Sequence, residues 1–165
     1  MANVDNPRGL WPIRKLDGGP IVSNPYTAGG TIYIGDPVIA VNDGTVTVAA
    51  ATNVILGIAA TYAVSGGTVQ VYDDPFIVFG IQATTGQTPA LIDIFGSADM
   101  ITYAAGSTTT KVSIMEAAAI TTGSNGFKVL NKVSSPDNAW GEHVDLEVLI
   151  YEHFLGCQIA ANVGI

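Results

Sequence analysis

From Thr31 to Ala83 short apolar runs alternate with turn-forming clusters. The runs are TIYIG, PVIAV, TVTVA, NVILGIAATY, TVQVY and PFIVFGIQA, separated by Asp-Pro, Asn-Asp-Gly, Ala/Thr/Asn, Ser-Gly-Gly and Asp-Asp-Pro. Ile32/Ile34, Val46/Val48 and Val69/Val71 recur at a period of two, with Thr45, Thr47, Thr68, Gln70 and Tyr72 on the opposite face. That is the pattern of half-buried antiparallel strands, and the β-branched and aromatic enrichment agrees, because such side chains suit a pleated surface.

The last third repeats the signal. Phe127, Val129 and Val133 share one face with Lys128 and Lys132 on the other, after an Asn125-Gly126 turn. Val144, Leu146, Val148 and Ile150 point inward while Asp145 and Glu147 point out. Between these runs, Ser134 to Asn138 supplies turn chemistry. The middle is looser: Thr84 to Pro89 reads as a loop, Ala90 to Phe95 as a short strand or helical turn, and Val112 to Glu116 as a strand. The fold expected is all-β, a small antiparallel β-barrel or a β-tulip or sandwich.

Residues 1 to 30 read differently. Pro7, Pro12, Pro20 and Pro25, with Gly9, Gly18, Gly19, Gly29 and Gly30, argue against regular structure. Leu10, Trp11, Ile13, Leu16, Ile21 and Tyr26 are nonetheless too apolar for a solvated linker. The organisation expected is an extended N-terminal arm over 1–30, lying on its own surface or a neighbour's, one β domain over 31–155 and an apolar tail over 156–165.

Charge sharpens this division. Only 12% of the 165 residues are charged and 48% are hydrophobic, against roughly 25% charged in an average soluble domain. A chain so poor in charge is expected to bury surface against other chains, the competing reading being a Ser/Thr-clad extracellular-type sandwich. Arg8, Arg14 and Lys15 outweigh Asp5 and Asp17 in the arm, whereas the remainder carries three lysines against twelve acids. An acidic body repels phosphate, so no nucleic-acid partner is expected. No signal-peptide pattern opens the sequence and no apolar run approaches the ~20 residues of a membrane span, so neither export by that route nor membrane insertion is expected.

Motifs for nucleotide, zinc or acyl-transfer chemistry are absent from the sequence. The single Cys157 cannot form an internal disulfide, and nothing nominates a third group to join it with His143 or His153 as a nucleophile. Asp73-Asp74 and the group Asp137, Glu142, Asp145 supply hard oxygen ligands, but neither follows calcium-loop spacing. No enzyme activity, cofactor or metal is therefore expected. Rival readings would require an exposed aromatic patch at Trp140, Tyr103 or Tyr151 for carbohydrate or host-surface binding, or a pocket converging on Asp73, Asp74 or His143 for catalysis.

Three strings carry a resemblance: Met1-Ala2-Asn3-x-x-Asn6-Pro7-x-Gly9-Leu10-x-Pro12-x-Arg14-x-x-Asp17-Gly18; Ile34-Gly35-Asp36-Pro37-Val38; and Ser135-Pro136-Asp137-Asn138-x-x-Gly141 followed by Val148-x-Ile150-x-x-His153. Together they resemble the small head cement, or decoration, proteins of tailed bacteriophages. The resemblance implies a non-enzymatic β module on the outside of the virion, often a homotrimer, clamping adjacent major capsid protein subunits. A tail or neck component is the nearest alternative. Arg8, Trp11, Arg14 and Lys15 would be the capsid-contact residues, with cations flanking an aromatic anchor. On this reading, deleting residues 1 to 17 leaves a folded body that no longer decorates heads.

Overall fold

Two β-sheets make up the architecture, and the chain enters one, completes the other, and then returns. The computed structural model describes residues 3–50, 53–101, 106–122 and 126–156. The first sheet has six strands in the order β1 (Trp11–Lys15), β7 (Ile77–Gln82), β11 (Asp145–Ile150), β10 (Phe127–Lys132), β8 (Ser97–Ile101), β9 (Glu116–Thr121), all antiparallel. The second is a closed barrel in the order β2 (Asn24–Ala28), β4 (Thr45–Val48), β3 (Pro37–Ala40), β5 (Gly57–Ala59), β6 (Thr68–Tyr72). Pairing of β2 with β6 closes it, and β2 and β4 are parallel. The barrel is thus built between two strands, β1 and β7, that lie side by side. The chain is all-β, as its alternation predicts, and no described helix is long and apolar enough to cross a membrane.

Each sheet has its own core. Ile77, Phe79, Ile81, Leu146, Val148, Ile150, Phe127 and Val129 fill the first, joined by Ile55 and Ile58. Val38, Val46, Val69, Val71, Ala28 and Ile32 fill the barrel. The inward set expected of the last strand, Val144, Leu146, Val148 and Ile150, is buried throughout. Fully burying such side chains contributes about 1.5–3 kcal/mol apiece, so these two clusters dominate the stability of the fold.

Residues 1 to 30 differ from their expected lack of regular structure, because they supply one strand to each sheet. Prolines hide this in the sequence, yet each sits where a missing N–H costs little. Pro12 lies on β1, an edge strand, immediately before a bulge in its register with β7. Pro25 pairs with Gln70 of β6, while only Thr27 and Ala28 pair with β4 on the other side. Leu10 is in the first core. The arm folds back and covers its own body.

Other differences are local. TIYIG makes only isolated bridges, Ile32 to Ala63 and Ile34 to Val112. The Asp36 carboxylate accepts the Tyr33 amide, and Gly35 turns at φ 89°, which ends pairing there. The strand expected at Val112 to Glu116 begins instead at Glu116, and its alanines include the fully buried Ala117. Ala90 to Phe95 holds a three-ten turn at Leu91–Asp93.

Candidate functional site

Arg8, Trp11 and Arg14 gather on the outer face of β7 and β11, whereas Lys15 stands opposite Ile77, an inward position of β7. Inward positions of β7 belong to the core, and its outward positions Val78, Gly80 and Gln82 are buried as well because the arm lies over them. Trp11 stands opposite Gly80 in the β1–β7 ladder, and Glu147 opposes Gly80 from β11. The Arg8 guanidinium stacks on Trp11 at 3.8 Å and donates to Asp145 Oδ2 at 2.9 Å. Arg14 donates to Glu147 Oε2 at 2.8 Å. Lys15 reaches Asp74 at 2.7 Å and Asp17 at 3.0 Å, and these hydrogen bonds, Asp74 foremost, raise its pKa.

Arg8, Trp11 and Arg14 therefore share one face while Lys15 lies on the other, and all three cations are engaged by the chain's own acids. Asp145 and Glu147 point outward as their alternation predicts, and the arm supplies their counter-charges.

Beside this clasp lies an open cleft of about 480 Å³ lined by Asn3, Asp5, Arg8, His143, Asp137 and Asp145, among others. Its floor is held by side-chain amides. The Asn138 carboxamide donates to the carbonyls of Val133 and Asp145 and accepts the Asp145 amide, replacing ladder bonds across the β10–β11 loop. Asn3 donates to the carbonyls of Ala139 and Glu142 and accepts the Ala139 amide. Gln82 accepts from the Asn6 amide and donates to the Val4 carbonyl. Asn3, Asn6 and Asn138 all fall within the strings that carry the family resemblance.

Of the residues named for rival sites, His143 lines this cleft, whereas Asp73 and Asp74 are engaged elsewhere. Asp73 is buried at one end of the barrel, accepting from Asn24 and from the Tyr26 hydroxyl at 2.6 Å. Burial and this bond push the Tyr26 phenol up to about 12. Asp74 is paired with Lys15. Trp140 packs against the core and Tyr151 carries Lys128 over its ring at 4.6 Å. Tyr103, Cys157 and residues 157–165 of the expected tail lie outside the described residues.

A different surface stands out on the opposite end of the first sheet. The three-ten turn projects Leu91, Ile92 and Phe95, which are 69%, 91% and 74% exposed. Ile92, Phe95 and Ile120 of the end strand β9 line a shallow depression of about 320 Å³. The knuckle is fixed rather than loose: the Phe95 amide donates to Val129 and the Val129 amide to Gly96. Phe95 holds φ 69°, a region that bulky residues rarely adopt. No protein-family model matches this sequence, and no curated protein matches it.

Proposed function

We propose that the chain is a structural cement or decoration protein of a tailed-phage head, seated outside the shell as a homotrimer and clamping adjacent major capsid protein subunits. The observation that carries this reading is the rigid knuckle of Leu91, Ile92 and Phe95. Three large apolar side chains held out to water on a sheet end are costly unless another protein covers them. The low charge content and the three resembling strings support the same reading. The contact role moves accordingly from Arg8, Arg14 and Lys15, which are internally paired, to the knuckle and the adjoining β9.

The mechanism is cohesion without turnover. A protein that binds only the assembled shell stabilises it by mass action, and many copies bridging subunit seams add through multivalency. The acidic body keeps such a clamp from adhering to packaged or free DNA.

The test is sedimentation of the purified chain, alone and with heads of the phage that encodes it. The unaltered chain is expected to associate and to pellet with heads, whereas the double variant Leu91→Ser, Ile92→Ser stays folded and loses head occupancy. An unaltered chain that remains single and ignores heads refutes the reading, as does full occupancy by the variant.

A further inference from the structure

We propose that Asp5, Glu116 and His143 bind a zinc-class divalent ion that fastens the N-terminal segment to the body. One ligand atom from each residue lies within 4.8 Å of the other two. Asp5 belongs to the N-terminal segment, Glu116 opens β9, and His143 closes the β10–β11 loop, so long stretches of chain separate them and no spacing motif announces the set.

Two observations point to a ligand rather than to a chance gathering of charge. Glu116 Oε1 and His143 Nδ1 are both buried and both lack a hydrogen-bond partner. Buried acceptors are almost always satisfied, and a bound ion is one of the few reasons for an exception. The other carboxylate oxygen, Glu116 Oε2, accepts from the Thr84 hydroxyl at 3.0 Å. That is the outer-shell support that orients metal-binding carboxylates.

The geometry requires the ligand atoms, now within 4.8 Å of one another, to draw together on the ion. His143 Nδ1 and Asp5 Oδ1 are 3.8 Å apart, whereas ligand atoms around a zinc ion stand about 3.3 Å from one another. Asp5 is exposed. One imidazole and two carboxylates suit zinc and its first-row neighbours, and they fall short of the six to eight oxygens that calcium takes. Remaining positions open into the cleft, where water reaches the ion. Arg8, which lines the same cleft, is already neutralised by Asp145 and stacked on Trp11.

The simpler alternative is that the three side chains meet with no ion between them. Calorimetric titration of chelator-treated full-length protein with Zn²⁺ separates the two, with Co²⁺ absorption reporting nitrogen and oxygen ligation. One ion per chain and a melting temperature that rises with metal are expected. Asp5→Asn and His143→Asn should each weaken binding by more than about 100-fold, beyond the roughly 10–100-fold that loss of an outer-shell partner costs. Asparagine suits the φ of 56° at position 143, so that variant keeps its backbone. Absence of saturable binding by the unaltered protein overturns the proposal, and so does affinity unchanged in both variants.

Discussion

Trp11 lies flat on Gly80, its partner across the β1–β7 ladder, and a Cβ at position 80 would collide with the indole ring. The glycine is the seat of the tryptophan, and the tryptophan is in turn the platform for Arg8. Gly80→Ala should therefore lift the ring and cost about 1–3 kcal/mol, the range for overpacking a filled site. In a Trp11→Ala background the same change should cost close to nothing, because the clash has gone. Urea midpoints for the four proteins of this cycle, with indole emission as the probe, measure the coupling. Additive losses would show that Gly80 matters for some other reason.

The arm is held by strand pairing and burial more than by charge. The Arg8–Asp145 and Arg14–Glu147 pairs are partly exposed, and such pairs contribute at most about 1 kcal/mol each. Removing residues 1–17 deletes β1, uncovers Gly80 and takes Leu10 out of the core. The truncated chain should consequently unfold or aggregate instead of persisting as an intact body, which reverses the expectation drawn from the sequence. Raising salt to 1 M should by contrast lower the unfolding free energy of the full chain only slightly. Circular dichroism of the truncated protein decides the first point, and urea melts at low and high salt the second.

Asn138 does the work of a missing ladder rung. It is nearly buried and makes three hydrogen bonds to main-chain groups of Val133 and Asp145. Asn138→Ala leaves those groups unpaired in a poorly hydrated place, at a cost of about 2–3 kcal/mol. Asn138→Asp should recover only the bond from the Asp145 amide. Faster hydrogen exchange at Asp145 in the alanine variant, alongside a lowered melting temperature, is the expected signature.

How much of this was legible follows from what each interaction looks like in one dimension. The core faces of β6, β10 and β11 were readable because alternation is a local property. Division into a sheet and a closed barrel was not, since β2 finds β6 across a long interval and runs parallel to β4. Prolines concealed β1 and β2 because composition does not reveal which side of a strand is unpaired. Arg8, Trp11, Arg14 and Lys15 stood out as cations around an aromatic residue, but the acids that engage the cations, Asp145, Glu147 and Asp74, lie far along the chain. The Leu91 to Phe95 knuckle was invisible for another reason: an exposed apolar residue and a buried one are written with the same letter.

His153 contributes a pH dependence to the fold. It is fully buried, its Nδ1 accepts the Leu155 amide at 3.0 Å, and its backbone bridges Ile55. That bond leaves the proton of the neutral ring on Nε2, which is buried without a partner. Burial pushes its pKa down to about 4, against the opposing pull of the Asp73 and Asp74 charges. Between about pH 6.5 and 4 the unfolded chain binds a proton that the folded chain refuses, so stability falls as pH falls, by roughly 3 kcal/mol across the window. Asp36 acts in the other direction, because its buried carboxyl has a raised pKa, only partly offset by Ser113 and the Tyr33 amide. A variant comparison isolates the histidine. His153→Asn keeps an acceptor near the position of Nδ1 and removes the titration. It should be less stable at pH 7, where the smaller side chain leaves a cavity, yet lose markedly less on acidification to pH 4.5. Equal slopes in urea melts of the two proteins would assign the acid sensitivity to the carboxylates instead.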